Sequence, residues 1–160
     1  KPSFLLDSRQ TKPELAKERY ERFDAHPLSY IFPKDFSGRK KDLGIELQRQ
    51  ERSGVVAAVV RDKGTNGDRE MAMCLFAAGF DVKDVTMSDL MSGRETLEDV
   101  RFVVFPGGFS NSDVLGAGRG WAGVFKYNDN AREALQNFYA RSDTLSLGVC
   151  NGCQVVVVLD

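Results

Sequence analysis

The sequence predicts an α/β fold, a mostly parallel sheet flanked by helices, and three features predict it. Short apolar runs of strand length recur after Gly54, helical segments separate them, and the later runs lead directly into glycine-bearing turns. In such sheets ligands bind beyond the carboxyl ends of the strands, so the loops after Val60, Phe105 and Val149 should share one edge and carry the chemistry.

Residues 1–53 read as a linker or arm. The stretch from Lys1 to about Arg52 is rich in charge and proline, with one helical segment from Pro13 to Phe23 and no alternating strand pattern. The run Pro27, Leu28, Tyr30, Phe32, Pro33 and Phe36 predicts an extended segment packed on a neighbouring surface, since a row of exposed aromatics is costly. Lys1 is not a methionine, so the chain is read as part of something longer.

Residues 54–160 form the domain. Val55 to Val60 is the continuous apolar run that a strand buried on both faces needs. A polar turn leads to a helix from about Asp68 to Ala78, with Met71, Leu75 and Ala78 on one stripe and Gly79 as its stop. Gly64-Thr65-Asn66-Gly67 lies where a phosphate could bind, but Asp68 and Glu70 already place negative charge there, and it reads as a capping turn.

The second strand runs from Asp81 to Met87, with Ser88-Asp89 capping a short turn through Met91. Leu97 to Val100 leads into a third strand, Phe102 to Phe105, which runs into Pro106-Gly107-Gly108. A long loop follows. Within it Gly116-Ala117-Gly118-Arg119-Gly120 fails the dinucleotide fingerprint, because it does not directly join strand to helix in a βαβ unit. It reads as a flexible or closely packed loop. Ala131 to Tyr139 is a helix, and Leu145 to Val149 is a fourth strand that abuts Cys150.

Composition narrows the function classes. A 160-residue chain with 42% hydrophobic residues holds one main domain with a core. The formal net charge of -1 leaves no basic stripe for phosphates, so no nucleic-acid partner is expected. No apolar run reaches the roughly 18 residues of a membrane span, so no membrane partner is expected and the chain reads as cytoplasmic. The three cysteines are too few and odd in number for a secreted disulfide framework, which fits a reducing compartment.

The strongest motif is Gly148-Val149-Cys150-Asn151-Gly152, a cysteine between glycines at i-2 and i+2 just after a buried strand. This is a nucleophile-elbow pattern with cysteine where hydrolases carry serine. The sharp strand-to-helix turn strains the nucleophile's backbone, and its flanks must be small because neighbouring backbone approaches closely. The helix starting near Gly152 would present its positive dipole end to Cys150. Pro106-Gly107-Gly108-Phe109-Ser110 supplies a second signal, because glycines let amide N–H groups approach a tetrahedral oxyanion. A second donor is the amide of Asn151.

Other readings of these residues remain open. Cys150 and Cys153 form a Cys-x-x-Cys pair, compatible with a redox dithiol, and a buried structural cysteine beside a tight turn is the bland reading. Zinc would need two further ligands, and Cys74 and His26 lie in unrelated segments, so no metal is expected. His26, the single histidine, precedes Pro27 in the arm and reads as a surface residue. A cysteine nucleophile acting on an amide needs a base, and this chain offers no evident one.

These motifs resemble the glutaminase domain, a class I glutamine amidotransferase, of long-form phosphoribosylformylglycinamidine synthases. The resemblance rests on Gly148 to Gln154, Pro106 to Ser110, Asp113 to Gly118 and Met87 to Leu90, and it extends through Arg61 to Asn66 and more loosely through Pro27 to Tyr30. It implies a flavodoxin-like, class I amidotransferase-like sheet, incomplete at the C-terminus and preceded by an extended arm. It implies Cys150 as the nucleophile, Gly107, Gly108, Phe109 and Asn151 as the oxyanion and glutamine-facing segment, and Gln154 as a neighbour of bound glutamine. Glutamine is the implied substrate, and ammonia would pass to a synthetase domain of the same polypeptide. That domain would use ATP and magnesium to convert formylglycinamide ribonucleotide to the amidine, and no cofactor is expected in this chain itself. Relatives often carry Tyr-Gly where this chain has Asn111-Ser112. The family's histidine and glutamate lie downstream of the cysteine, so the triad is expected to be incomplete in these 160 residues and the chain alone inactive. A non-catalytic amidotransferase-like module is the remaining alternative.

Overall fold

The computed structural model describes residues 13–22, 31–116 and 118–160. The chain divides into two units, Lys1–Ser37 and Gly38–Asp160. In the first, α1 spans Pro13–Glu21, and Phe32 and Phe36 stack with ring centroids 5.0 Å apart. Pro27, Leu28 and Tyr30 of the aromatic run, and His26, lie outside the described residues.

The second unit begins before Gly54, where the sequence reading placed the boundary. The reason is a clamp: Arg49 donates to the Asp81 carboxylate at 3.0 Å and to the Phe80 carbonyl at 2.7 Å, so residues 38–53 group with the sheet.

Four strands, β1 (Val56–Arg61), β2 (Asp81–Thr86), β3 (Val100–Phe105) and β4 (Leu145–Gly148), form a parallel sheet in the order β2-β1-β3-β4. The parallel α/β fold read from the sequence is therefore present. Because side chains alternate along a strand, β1, β2 and β3 each feed two cores. Ala58, Val60, Val103 and Phe105 face a large cluster, whereas Ala57, Val59 and Val104 face a smaller one.

The smaller cluster is covered by α2 (Asp68–Ala77) through Leu75, Met71 and Ala72. The larger is covered by α3 (Met87–Ser92), α4 (Arg119–Tyr127), α5 (Asp129–Ala140) and α6 (Asn151–Leu159). Phe105 anchors it, with its ring edge-to-face to Trp121 at 5.7 Å and to Phe125 at 5.9 Å. Such aromatic pairs add about 0.5–1.5 kcal/mol beyond area burial.

Two local expectations need correction. The long loop after Phe105 contains α4, because burial of Trp121, Ala122 and Phe125 outweighs the low helix propensity of Gly120 and Gly123. The glycine run before it is the closely packed alternative: a Cβ at Gly118 would meet the Val155 nitrogen at 2.9 Å. The cap of α3 is Thr86 rather than Ser88, since the Thr86 side chain accepts from the Asp89 amide while Asp89 accepts from the Thr86 amide, a reciprocal capping box. Along α6, Val155 is enclosed and Val157 is 70% exposed.

Candidate active site

The chain order turns back between β1 and β3: β2 lies on one side of β1, and β3 and β4 lie on the other. The loops leaving the carboxyl ends of β1 and β3 meet at this switch point, where open α/β sheets bind ligands. They are joined by backbone hydrogen bonds, Asn66 N–H to the Gly107 carbonyl at 2.8 Å, Phe109 N–H to the Gly64 carbonyl at 2.9 Å and Asn111 N–H to the Lys63 carbonyl at 2.8 Å. The Asn111 carboxamide adds a bond to the Asp62 carboxylate at 2.8 Å. The turn at residues 64–67 thus caps α2 and also forms one wall of the site.

Cys150 closes the third side. Val149 N–H still donates to the Phe105 carbonyl at 2.9 Å, as the last link of the β4 ladder, and the chain then reverses into α6. Cys150 takes φ 51° and ψ -107°, the strained strand-to-helix geometry that the flanking glycines predict. A non-glycine residue in a sparsely populated region stores about 1–3 kcal/mol, held here by packing on both sides of the turn. A Cβ at Gly148 would lie 2.8 Å from the Cys153 backbone, so only glycine lets strand and helix close on each other. Gly107 sits opposite the nucleophile, its hypothetical Cβ 3.3 Å from Cys150 Cβ.

A cavity of about 570 Å³ opens at this junction. Of the residues selected from sequence, Cys150, Gly107, Gly108, Phe109 and Gln154 all line it. Asn151 does not: it is 2% exposed, and its side chain turns inward to Ser110, which is 1% exposed. The Phe109 amide is engaged by Gly64, whereas the Gly108 amide has no hydrogen-bond partner among the described residues.

Sequence reading did not select Asn66, Glu70, Cys74 or Asp113, which complete the wall. Asp113 Oδ1 is buried without a partner. No lysine or arginine lines the cavity. Cys74, on α2, is the other cysteine at the wall, while Cys153 lies in the first turn of α6 away from the lining; all three cysteines are free thiols. Among the described residues no three His, Cys, Asp or Glu side chains gather as a metal site, and no helix is long and apolar enough to cross a membrane.

Comparison with known proteins adds the following. The family of CobB/CobQ-like glutamine amidotransferase domains matches residues 55–160. The chain is 42% identical over 160 residues to phosphoribosylformylglycinamidine synthase of Homo sapiens, covering 98% of this chain and 11% of that protein. It is 51% identical over 102 residues to the probable chloroplastic/mitochondrial phosphoribosylformylglycinamidine synthase of Arabidopsis thaliana, covering 64% of this chain and 7% of that protein. It thus spans about a tenth or less of the length of these curated relatives. Among solved structures, that of PurLQS from Thermotoga maritima superposes with a TM-score of 0.54 at 28% identity, covering 66% of this chain and 44% of that one.

Proposed function

This chain belongs to the family of CobB/CobQ-like glutamine amidotransferase domains, and on that premise we propose that it is the nucleophile-bearing part of the glutaminase of a phosphoribosylformylglycinamidine synthase. The observation that carries the proposal is the strained Cys150 on the cavity wall, opposite Gly107.

The chemistry follows from the placement. Sγ of Cys150 attacks the side-chain amide carbon of glutamine, and the C–S bond forms as the carbonyl electrons move onto oxygen. The Gly108 and Asn151 amides are the donors for that oxyanion, because the Phe109 amide is already spent on Gly64. Collapse expels ammonia once its nitrogen has taken up a proton, and water then cleaves the thioester to glutamate. Glu70 and Asp113 are the acceptors that face the α-ammonium of the substrate.

No histidine stands among the described residues, and the reading places the proton carrier outside them. The 160-residue chain alone is therefore expected to turn over glutamine negligibly. Ammonia would pass to a synthetase region of the same polypeptide, where ATP and magnesium activate formylglycinamide ribonucleotide; no step in this chain runs through them. Cytoplasmic location belongs to the same proposal and is supported by the three free thiols, which suit a reducing compartment.

The test is to treat the intact enzyme with a diazo-ketone analogue of glutamine and map the adduct. Labelling of Cys150 is expected, and labelling elsewhere would overturn the assignment. Cys150→Ser should abolish glutamine turnover while Cys153→Ser is tolerated; a reversible Cys150–Cys153 disulfide with equal dependence on both residues would instead establish the dithiol reading.

A further inference from the structure

We propose that Asn111 is a positioning residue for the substrate: its carboxamide, pinned to the Asp62 carboxylate, holds Asp113 in the cavity wall, where it meets the α-ammonium of glutamine. The inference rests on the glutaminase reading above for the identity of the ligand, and on the hydrogen bonds of the loop after β3 for the pin.

Asp113 has an oxygen to spare. It lines the cavity and its Oδ1 is buried without a partner, while the other charged group of the lining, Glu70, is also a carboxylate. A buried carboxylate oxygen calls for a donor, and an anionic lining favours a cationic one. An ammonium group meets both demands.

The backbone that carries Asp113 is held, not relaxed. Asn111, Ser112 and Asp113 all take positive φ, a region that residues other than glycine resist. Asn111 is where the run is fastened. Its backbone N–H donates to the Lys63 carbonyl at 2.8 Å, and its Nδ2 donates to Asp62 Oδ2 at 2.8 Å. Asp62 is fixed in turn, since its Oδ1 accepts from the Lys63 amide at 2.8 Å. The far side is closed by α4: a Cβ at Gly120 would stand 3.2 Å from Asn111 Nδ2, so the lack of a side chain there leaves room for the carboxamide. The loop after β1, the loop after β3 and the first turn of α4 thus meet on one side chain.

Asn111 itself stands outside the cavity lining, so it acts through Asp113. Releasing the pin lets the run relax toward ordinary backbone, and the Asp113 carboxylate moves with it. The pair also has a direction, because a carboxylate only accepts and Nδ2 only donates. Asn111→Asp sets two carboxylates against each other while keeping a side chain that tolerates positive φ. Adding Asp62→Asn reverses the pair: residue 62 keeps an oxygen for the Lys63 amide and offers its NH2 to the carboxylate now at position 111.

The experiment is steady-state kinetics on the intact enzyme, with glutamine as substrate and glutaramate as competing inhibitor. Glutaramate has the same amide and carboxylate but no α-ammonium. Asn111→Asp should raise KM for glutamine about tenfold or more with kcat within about threefold, the pattern of lost substrate binding. The inhibition constant of glutaramate should stay within about threefold, because it brings no ammonium to Asp113. Asp62→Asn combined with Asn111→Asp should return KM to within about threefold of the unsubstituted enzyme. An unchanged KM in Asn111→Asp, an equal loss for glutaramate, or no recovery in the double variant would each overturn the proposal. If Asn111→Asp does not fold, Asn111→Gly drops the carboxamide but keeps the backbone freedom and should show the same split; a wild-type KM there overturns the proposal as well. Absence of glutamine turnover in the unsubstituted enzyme would instead sink the glutaminase reading, which keeps the two failures apart.

Discussion

Gly152 lies directly beneath the carbonyl of Phe105: a Cβ built at residue 152 would stand 1.8 Å from the Phe105 oxygen. The first turn of α6 thus rests on the end of β3, and that contact places Cys150 level with the loop carrying Gly107 and Gly108. Gly152→Ala must separate helix from strand. Strain of this kind in a packed site costs typically about 1–3 kcal/mol. The expected result is a lowered denaturation midpoint together with loss of glutamine turnover in the intact enzyme. Gly123→Ala is the matched control, because it sits within α4 with its nearest neighbour, Tyr127, at 3.9 Å. It should raise stability by about 0.5–1 kcal/mol through helix propensity.

Asp81 anchors the start of β2 and the segment before β1 together. Its carboxylate accepts from the Ser53 and Gly54 amides and pairs with Arg49, and these bonds, the Ser53 amide foremost, hold its pKa at about 2. That lies below the usual carboxylate value of about 4. The folded state therefore releases this proton more readily than the unfolded chain does. The stability this carboxylate contributes is present above about pH 4 and is lost as pH falls toward 2. Asp89 titrates in the same window, its pKa of about 2 set first by the Thr86 hydroxyl. Urea midpoints measured between pH 7 and pH 2.5 should fall more shallowly for Asp81→Asn, which starts from a lower value at pH 7. Parallel curves would refute the anchor role.

These contacts also mark what the sequence can and cannot disclose. β1 and β3 were legible because each is a short, largely apolar run with a turn after it, β2 and β4 from their spacing between helical segments, and Cys150 because glycines at 148 and 152 answer a steric demand made locally. The helix from Arg119 to Tyr127 was not, since its glycines argue against helix and the Phe105–Trp121 packing that overrides them is a tertiary fact. Asn66, Glu70, Cys74 and Asp113 were not legible as a site either. Strand order brings them to one cavity, and nothing in their own neighbourhoods signals it. Asn151 was selected for its amide, while the role of its side chain depends on Ser110, 41 positions away.

Ser112 offers a gain in stability. Asn111, Ser112 and Asp113 all take positive φ, 52°, 53° and 53°. Asn and Asp tolerate this region through short local hydrogen bonds, but serine does so poorly, at about 1–2 kcal/mol per residue. Ser112 is exposed, so glycine there loses little packing. Part of the relief is offset by glycine's greater unfolded-state entropy, about 0.5–1 kcal/mol. Ser112→Gly should therefore stabilise by up to about 1 kcal/mol, read as a rise in thermal midpoint. A fall would show that the Ser112 backbone is not strained.

The two edges of the sheet differ in protection, and this predicts how the 160-residue chain behaves in solution. The β2 edge carries charge: Lys83 pairs with Glu95 and Asp99, and Asp84 pairs with Arg61. Charged side chains of this kind discourage strand addition. β4 reads Leu-Ser-Leu-Gly, among the described residues pairs with β3 along one side only, and leaves Leu145 73% and Leu147 44% exposed. Both leucines lie in register with Phe102 and Val104, so they extend the apolar face that α2 covers over β1. An uncharged edge continuous with an apolar face invites pairing with another chain. Light scattering on the purified chain should show mass rising with concentration. Leu145→Lys and Leu147→Lys together should suppress that rise, and the cost to stability should stay within about 0.5 kcal/mol per exposed site. If the double variant associates as strongly as the parent, the contact lies elsewhere, and the exposed Val157 on α6 becomes the next residue to charge.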